Sequence, residues 1–139
     1  MRMILDTDAG IDDAEALLMA LGHPDCTLEA ITTVTGNVHR DAVNRNVATV
    51  LQQAGKTVPV YSGADRPLIE PCEYNAKGFH MADGLGDWDK RPPVEVVLQD
   101  EHAVAAIVRV INENPGELTL IAVGPLTNIA LALRLDPTL

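Results

Sequence analysis

Aromatic side chains are nearly absent from this chain, at 3% of 139 residues, so any core is built from Leu, Ile, Val and Ala. Cysteine is equally scarce. Cys26 and Cys72 are the only two, too few and too far apart for a zinc-ligand spacing or a disulfide framework. Basic residues number 10 against 20 acidic ones, and the resulting charge of −10 argues against a nucleic-acid backbone or an anionic membrane as partner. No apolar run approaches the length needed to span a bilayer. The N-terminus shows no basic, apolar and cleavage regions of a secretory leader, which makes the cytoplasm the expected compartment. Internal repeats and low-complexity segments are also lacking. An apolar content of 47% remains, and it describes a globular chain whose length suits a single domain over residues 1–139.

What stands out is a cluster of acids. Asp6, Asp8, Asp12 and Asp13 fall within the run ILDTDAGIDDAEALLMAL. Met3-Ile4-Leu5 ahead of them reads as a buried strand, and Ala14, Leu17, Leu18 and Leu21 behind them share one helical face. The acids therefore occupy a strand-to-helix turn. Carboxylates gathered in one turn repel each other unless a cation shares the site, and a hard divalent ion with oxygen ligands resolves the conflict. The helix N-terminus offsets part of the charge. A plainer reading is that Asp12 and Asp13 cap the helix, which accounts for one or two acids but not four.

The rest of the chain alternates. Strands are expected at about Met3–Asp6, Leu28–Val34, Val58–Tyr61 and Leu118–Val123. Helices are expected at about Asp12–Gly22, Asp41–Ala54 and Glu101–Asn112, with a fourth from Gly124-Pro125 to Leu135. In the second, Val43, Val47, Val50 and Leu51 point inward and Gly55 stops the helix. This order predicts an α/β fold, an open parallel sheet with helices on both faces. Ligands of such sheets bind beyond the carboxyl ends of the strands. The acid turn, Thr35-Gly36-Asn37, the long Pro- and Gly-rich stretch Ser62–Leu98 and Val123-Gly124-Pro125 all lie there. The long stretch is a candidate lid carrying His80, Asp83 and Asp87 among glycines. His80 on residue type alone reads equally as a surface loop histidine. His23 reads as a cation at a helix end, and His39 and His102 as surface residues, the latter in the first turn of the third helix.

DTDAGIDDAEALLMAL, ITTVTGN, HMADGLGD and VGPLTNIALAL together resemble, in order and spacing, the N-terminal half of the inosine-uridine-type nucleoside hydrolases. The resemblance implies a calcium-dependent hydrolysis of the N-glycosidic bond of ribonucleosides. It implies that Asp8 and Asp13 are calcium ligands, with Asp8 also the base toward a metal-bound water. Asp12 and Asn37 would hold ribose hydroxyls, the Val123 carbonyl would complete the metal shell, and Asp6 would support the turn. His80 would be a catalytic residue of the loop, although Met81 follows it where the family has glycine. A homo-oligomer is the expected assembly. The family runs roughly twice as far, a scale still compatible with one α/β domain. The expectation is thus a truncated chain, lacking a further metal-binding aspartate and the usual leaving-group acid.

Other readings fit less well. A remnant that binds metal or ribose without catalysis is compatible with the short length. A haloacid-dehalogenase-type phosphohydrolase also begins Asp-x-Asp, but Gly10 stands where that family has Thr or Val, and Asp12-Asp13 and GPLTN go unexplained. An EF-hand would need ligands at Gly10 and Leu17, and no G-x-G-x-x-G supports a dinucleotide fold.

Overall fold

The computed structural model describes residues 1–69, 71 and 78–139. Cys72 lies outside them, while Cys26 is a free thiol. The elements run β1 (Arg2–Thr7), α1 (Ile11–Gly22), β2 (Thr27–Thr33), α2 (Arg40–Ala54), β3 (Val60–Ser62), α3 (Ala103–Glu113), β4 (Leu118–Ala122) and α4 (Thr127–Leu135). The expected alternation is present, with shifts of one or two residues at most ends. The starts of β3 and α3 each move by two; at β3, Pro59 cannot donate to a ladder and pairing starts only at Val60.

The four strands form one parallel sheet in the order β3-β2-β1-β4. Side chains alternate across it with the two-residue period of a strand. Leu5 and Ile31 face one layer with Leu17 of α1 and Val43, Val47 and Val50 of α2. Ile4 and Ala30 face the other with Ala103 and Ala106 of α3. At roughly 1.5–3 kcal/mol for each fully buried aliphatic side chain, these two layers hold the sheet rigid beneath its loops. The outer edge of β3 receives Gln99, whose N–H donates to Val60 O at 2.9 Å.

The opposite end differs. Among the described residues β4 is the last strand in the order, and around α4, which packs on α3, Leu126, Leu133 and Leu135 are exposed, at 61%, 46% and 64%. Among the described residues no helix is long and apolar enough to cross a membrane.

Polar residues also occupy the interior. Thr32, Thr33, Asn46 and Asn128 are fully buried, and Asn44 nearly so. They lie toward the carboxyl ends of the strands, under the acid turn. Thr33 Oγ1 donates to Asn44 Oδ1 at 2.6 Å, and Asn44 Nδ2 donates to Ser62 Oγ at 3.0 Å. Asn128 Nδ2 donates to Asp6 Oδ1 at 2.8 Å and to Thr33 O at 2.9 Å, while its Oδ1 accepts from Ala64 N at 2.9 Å. One side chain of α4 thus joins the ends of three strands.

Three histidines have structural tasks. His39 and His102 precede α2 and α3, and their Nδ1 atoms accept from Asp41 N and Val104 N, both at 3.3 Å. His102 is therefore a cap and not a first-turn residue. His23 follows α1, and its Nδ1 accepts from Asp25 N at 3.1 Å, closing the turn after the helix.

Candidate active site at the carboxyl edge of the sheet

The turn from β1 into α1 is built on an unusual residue. Ala9 has φ +45°, the left-handed region that costs a residue with a Cβ about 1–2 kcal/mol. Both sides of it are held. Its N–H donates to Thr7 Oγ1 at 2.9 Å, and its carbonyl accepts from Asn46 Nδ2 at 3.0 Å. The Thr7 hydroxyl in turn donates to Asp13 Oδ1 at 2.7 Å, and Asp13 Oδ2 accepts from Gly10 N at 3.1 Å. Asp13 therefore does cap α1, as the plainer reading holds, and the same bonds fix its carboxylate in place.

Asp8 and Asp13 are nearly inaccessible, at 5% and 4% exposure. Burial, joined by the Asp13 charge, pushes Asp8 up to about 6, against the opposing pull of the Asn37 and Asp8 backbone N–H groups. Burial also raises Asp13, opposed by its bonds from Thr7 and Gly10. The two carboxylates are adjacent. Asp8 Oδ2 accepts from Asn37 N at 2.7 Å. A Cβ at Gly36 would collide with that carboxylate oxygen, and one at Gly124 would lie 2.8 Å from Asp8 N. The two neighbouring strand ends therefore close on Asp8 through residues without side chains, which brings Val123 to the same corner. Val123 N donates to Asp6 O at 2.9 Å.

Asp6 is set one layer deeper. Burial pushes it up to about 6, against its bonds from Asn128 and Thr32. Its Oδ2 has no partner among the described residues. Asp6 is fully buried beneath the turn.

Over Gly10 the remaining residues converge. A Cβ there would lie 2.6 Å from Asn37 Nδ2, 3.0 Å from His80 Cε1 and 3.1 Å from Asp12 Oδ1. Asp12 is open to solvent, in contrast to Asp8 and Asp13. His80 Nδ1 accepts from Ile11 N at 3.1 Å, which leaves the ring hydrogen of the neutral form on Nε2, 3.8 Å from Asp12 Oδ1. The loop histidine is thus drawn to the start of α1 and is not free on the surface.

All the residues singled out from the sequence, Asp6, Asp8, Asp12, Asp13, Asn37, His80 and Val123, meet at this edge. As a cation site it is partial. Oxygen donors with negative charge suit a hard ion, yet among the described residues no group of three or more His, Cys, Asp and Glu side chains is set to hold one. A cavity of about 400 Å³ between α2 and residues 94–99 contains none of these residues. The geometry of the turn, and not the size of a hollow, marks the site.

Thr7, Asn46 and Asn128 were not apparent as site residues. Asn46 carried a usable signal, since it lies three residues after Val43 and four before Val50, on the apolar stripe of its helix.

Comparison with known proteins accords with this geometry. The family model described as inosine-uridine preferring nucleoside hydrolase matches residues 3–139, and the chain belongs to that family. It is 41% identical over 138 residues to the inosine-uridine preferring nucleoside hydrolase of Leishmania major, covering 98% of this chain and 44% of that one. It is 39% identical over 136 residues to uridine nucleosidase 1 of Arabidopsis thaliana, covering 97% of this chain and 40% of the other. Among solved structures, a purine-preferring ribonucleoside hydrolase from Gardnerella vaginalis superposes with a TM-score of 0.93 at 32% identity, over 99% of this chain and 45% of that one. The chain thus spans less than half the length of the curated relatives it matches.

One departure acquires a physical meaning. Met81, after His80, has φ +61°, a conformation that glycine adopts without strain. Its side chain is substantially exposed and packs little. Met81→Gly removes about 1–2 kcal/mol of backbone strain and gives back about 0.4–1 kcal/mol through a looser unfolded chain. A net stabilisation of roughly 0.5–1 kcal/mol is expected in urea denaturation. A loss of stability would show that the methionine side chain anchors the loop.

Proposed function

We propose that this chain carries the ribose- and metal-binding half of a calcium-dependent ribonucleoside hydrolase, whose products are free base and ribose. The observation that carries the reading is the pair of buried carboxylates, Asp8 and Asp13, at a strand-to-helix turn bordered by Asp12, Asn37 and His80. Family membership and relatives named as nucleoside hydrolases support it.

In this reading Asp8, Asp13 and the Val123 carbonyl hold calcium. The ion, when bound, supplies positive charge and Lewis acidity toward water. Asp12 and Asn37 grip vicinal ribose hydroxyls, which fixes the anomeric carbon in place and lowers the entropic part of the barrier. Asp8 accepts the proton of the attacking water. The carboxylates stabilise the positive charge that develops on the sugar as the bond to the base breaks. His80 presents its Nε2–H beside Asp12.

A ribose-release assay over a nucleoside panel tests this, with phosphomonoesters as the contrast. Any hydrolysis by this chain is expected on nucleosides and is lost in Asp8→Ala. Phosphate release without ribose release would overturn the reading. A second reading, binding without appreciable turnover, is favoured by one observation: the described residues supply only two side-chain carboxylates to the cation.

A further inference from the structure

The acid turn and the His80 loop come from distant parts of the chain, yet both rest on a single side chain of α2. Asn46 is fully buried, and its Nδ2 donates to Ala9 O and to Asp83 O, both at 3.0 Å. Two carbonyl oxygens at that distance can be met only by an NH₂ group, which fixes the orientation of the amide. Its own Oδ1 is buried without a partner among the described residues. The loop also approaches this amide at a glycine, since a Cβ at Gly84 would lie 2.9 Å from Asn46 Nδ2. One turn further along α2, Thr49 Oγ1 accepts from Arg91 Nε and Nη2 at 2.9 and 2.7 Å, and Arg91 Nη1 lies 3.4 Å from Asp83 Oδ2. The Asp83 carboxylate in turn accepts from Leu85 N and Asp87 N at 2.7 and 2.9 Å.

We infer that Asn46 is a positioning residue that couples the two halves of the candidate site, so that loosening the His80 loop loosens the Ala9 turn through this one amide. The strained Ala9 carbonyl and the Asp83 carbonyl share its two hydrogens. Displacing the amide for one partner therefore displaces it for the other. The relevance of the coupling to ribose binding rests on the function proposed above, but the coupling itself does not.

A double-mutant cycle on the whole chain, without added metal, tests it by amide hydrogen exchange. The loop reporters are Leu85, Gly86 and Asp87, and the turn reporters are Ala9 and Gly10, whose N–H groups are all hydrogen-bonded. Gly84→Ala is expected to lower protection in the loop and, across Asn46, to lower protection at Ala9 and Gly10 by about tenfold relative to the β1 amides. In the Asn46→Ala background the turn starts less protected, and adding Gly84→Ala lowers it no further. Equal losses at the turn in both backgrounds, or none in either, would overturn the inference. Should Gly84→Ala fail to fold, Arg91→Met loosens the loop from its other anchor, and the same pattern is expected. A purely structural role for Asn46 lowers protection without this non-additivity. A calcium titration run in parallel separates the two proposals, since absence of calcium binding counts against the proposed function and leaves the cycle unaffected.

Discussion

Metal-stripped protein titrated with calcium in a calorimeter is expected to give a saturable binding heat that Asp13→Ala removes. Two acids share one buried corner, and each is held there by backbone or hydroxyl donors, so neither can swing away from the other. A cation offsets the burial that raises both and the Asp13 charge that raises Asp8 further. Magnesium should bind more weakly, because it demands a compact octahedron and sheds water reluctantly, whereas calcium accepts irregular shells of six to eight oxygens. Asp13→Ala also removes the bonds to Thr7 and Gly10, and Asp13→Asn is the better probe of charge, since its carbonyl oxygen still accepts from Gly10 N while the Thr7 hydroxyl can turn to accept from the new amide. Losing even an indirect partner of a metal site costs on the order of 10- to 100-fold in affinity. The loss in Asp13→Asn should reach at least the upper figure. Absence of binding heat in the parent chain, or unchanged affinity in Asp13→Asn, would defeat the calcium assignment.

The second large effect concerns turnover and association. Ordinary enzymes work on the order of 10 per second. This chain by itself is expected to release ribose at least 100-fold more slowly, since the relatives it matches run more than twice as far and a charged or acidic group lost from a reacting centre costs roughly 10²-fold or more. It should also self-associate. Among the described residues β4 ends the strand order, and Val123, Leu126, Leu133 and Leu135 are exposed apolar side chains of the segment that follows it. An unpaired strand edge next to apolar side chains is a template for pairing with another chain. Size-exclusion chromatography with light scattering, run beside the ribose assay, measures both. A monomer turning over nucleosides at an ordinary rate would show that the described residues suffice.

Much of this was legible in the residues. Alternating strand and helix patterns gave the layered parallel sheet, because each element has a buried face with its own period. The site was legible because carboxylates crowded into one turn have few explanations, and the sheet topology then carries Asn37, His80 and Val123 to the same edge. The polar interior was harder to see. Asn44, Asn46 and Thr49 look by type like a solvated helix face, and only their helical spacing relative to Val43 and Val47 places them inward. The left-handed backbone of Ala9 left no mark in the sequence, since alanine is not a residue that signals such a turn. Its cause is tertiary, an amide arriving from α2.

The link between Asp6 and Asn128 spans 122 residues. During synthesis at about 5–20 residues per second, roughly ten seconds separate the appearance of the first partner from that of the second. Through that interval β1 and β2 can pair, but Asp6 lacks one of its two donors and Thr33 O lacks the amide that bonds it. The support beneath the acid turn is therefore completed well after the residues of the turn have been made. Contacts of such separation also slow refolding, because a long loop must close before it is rewarded. Asn128→Ala would hold the chain at the earlier stage, with β1 and β2 paired but Asp6 Oδ1 and Thr33 O without their amide donor.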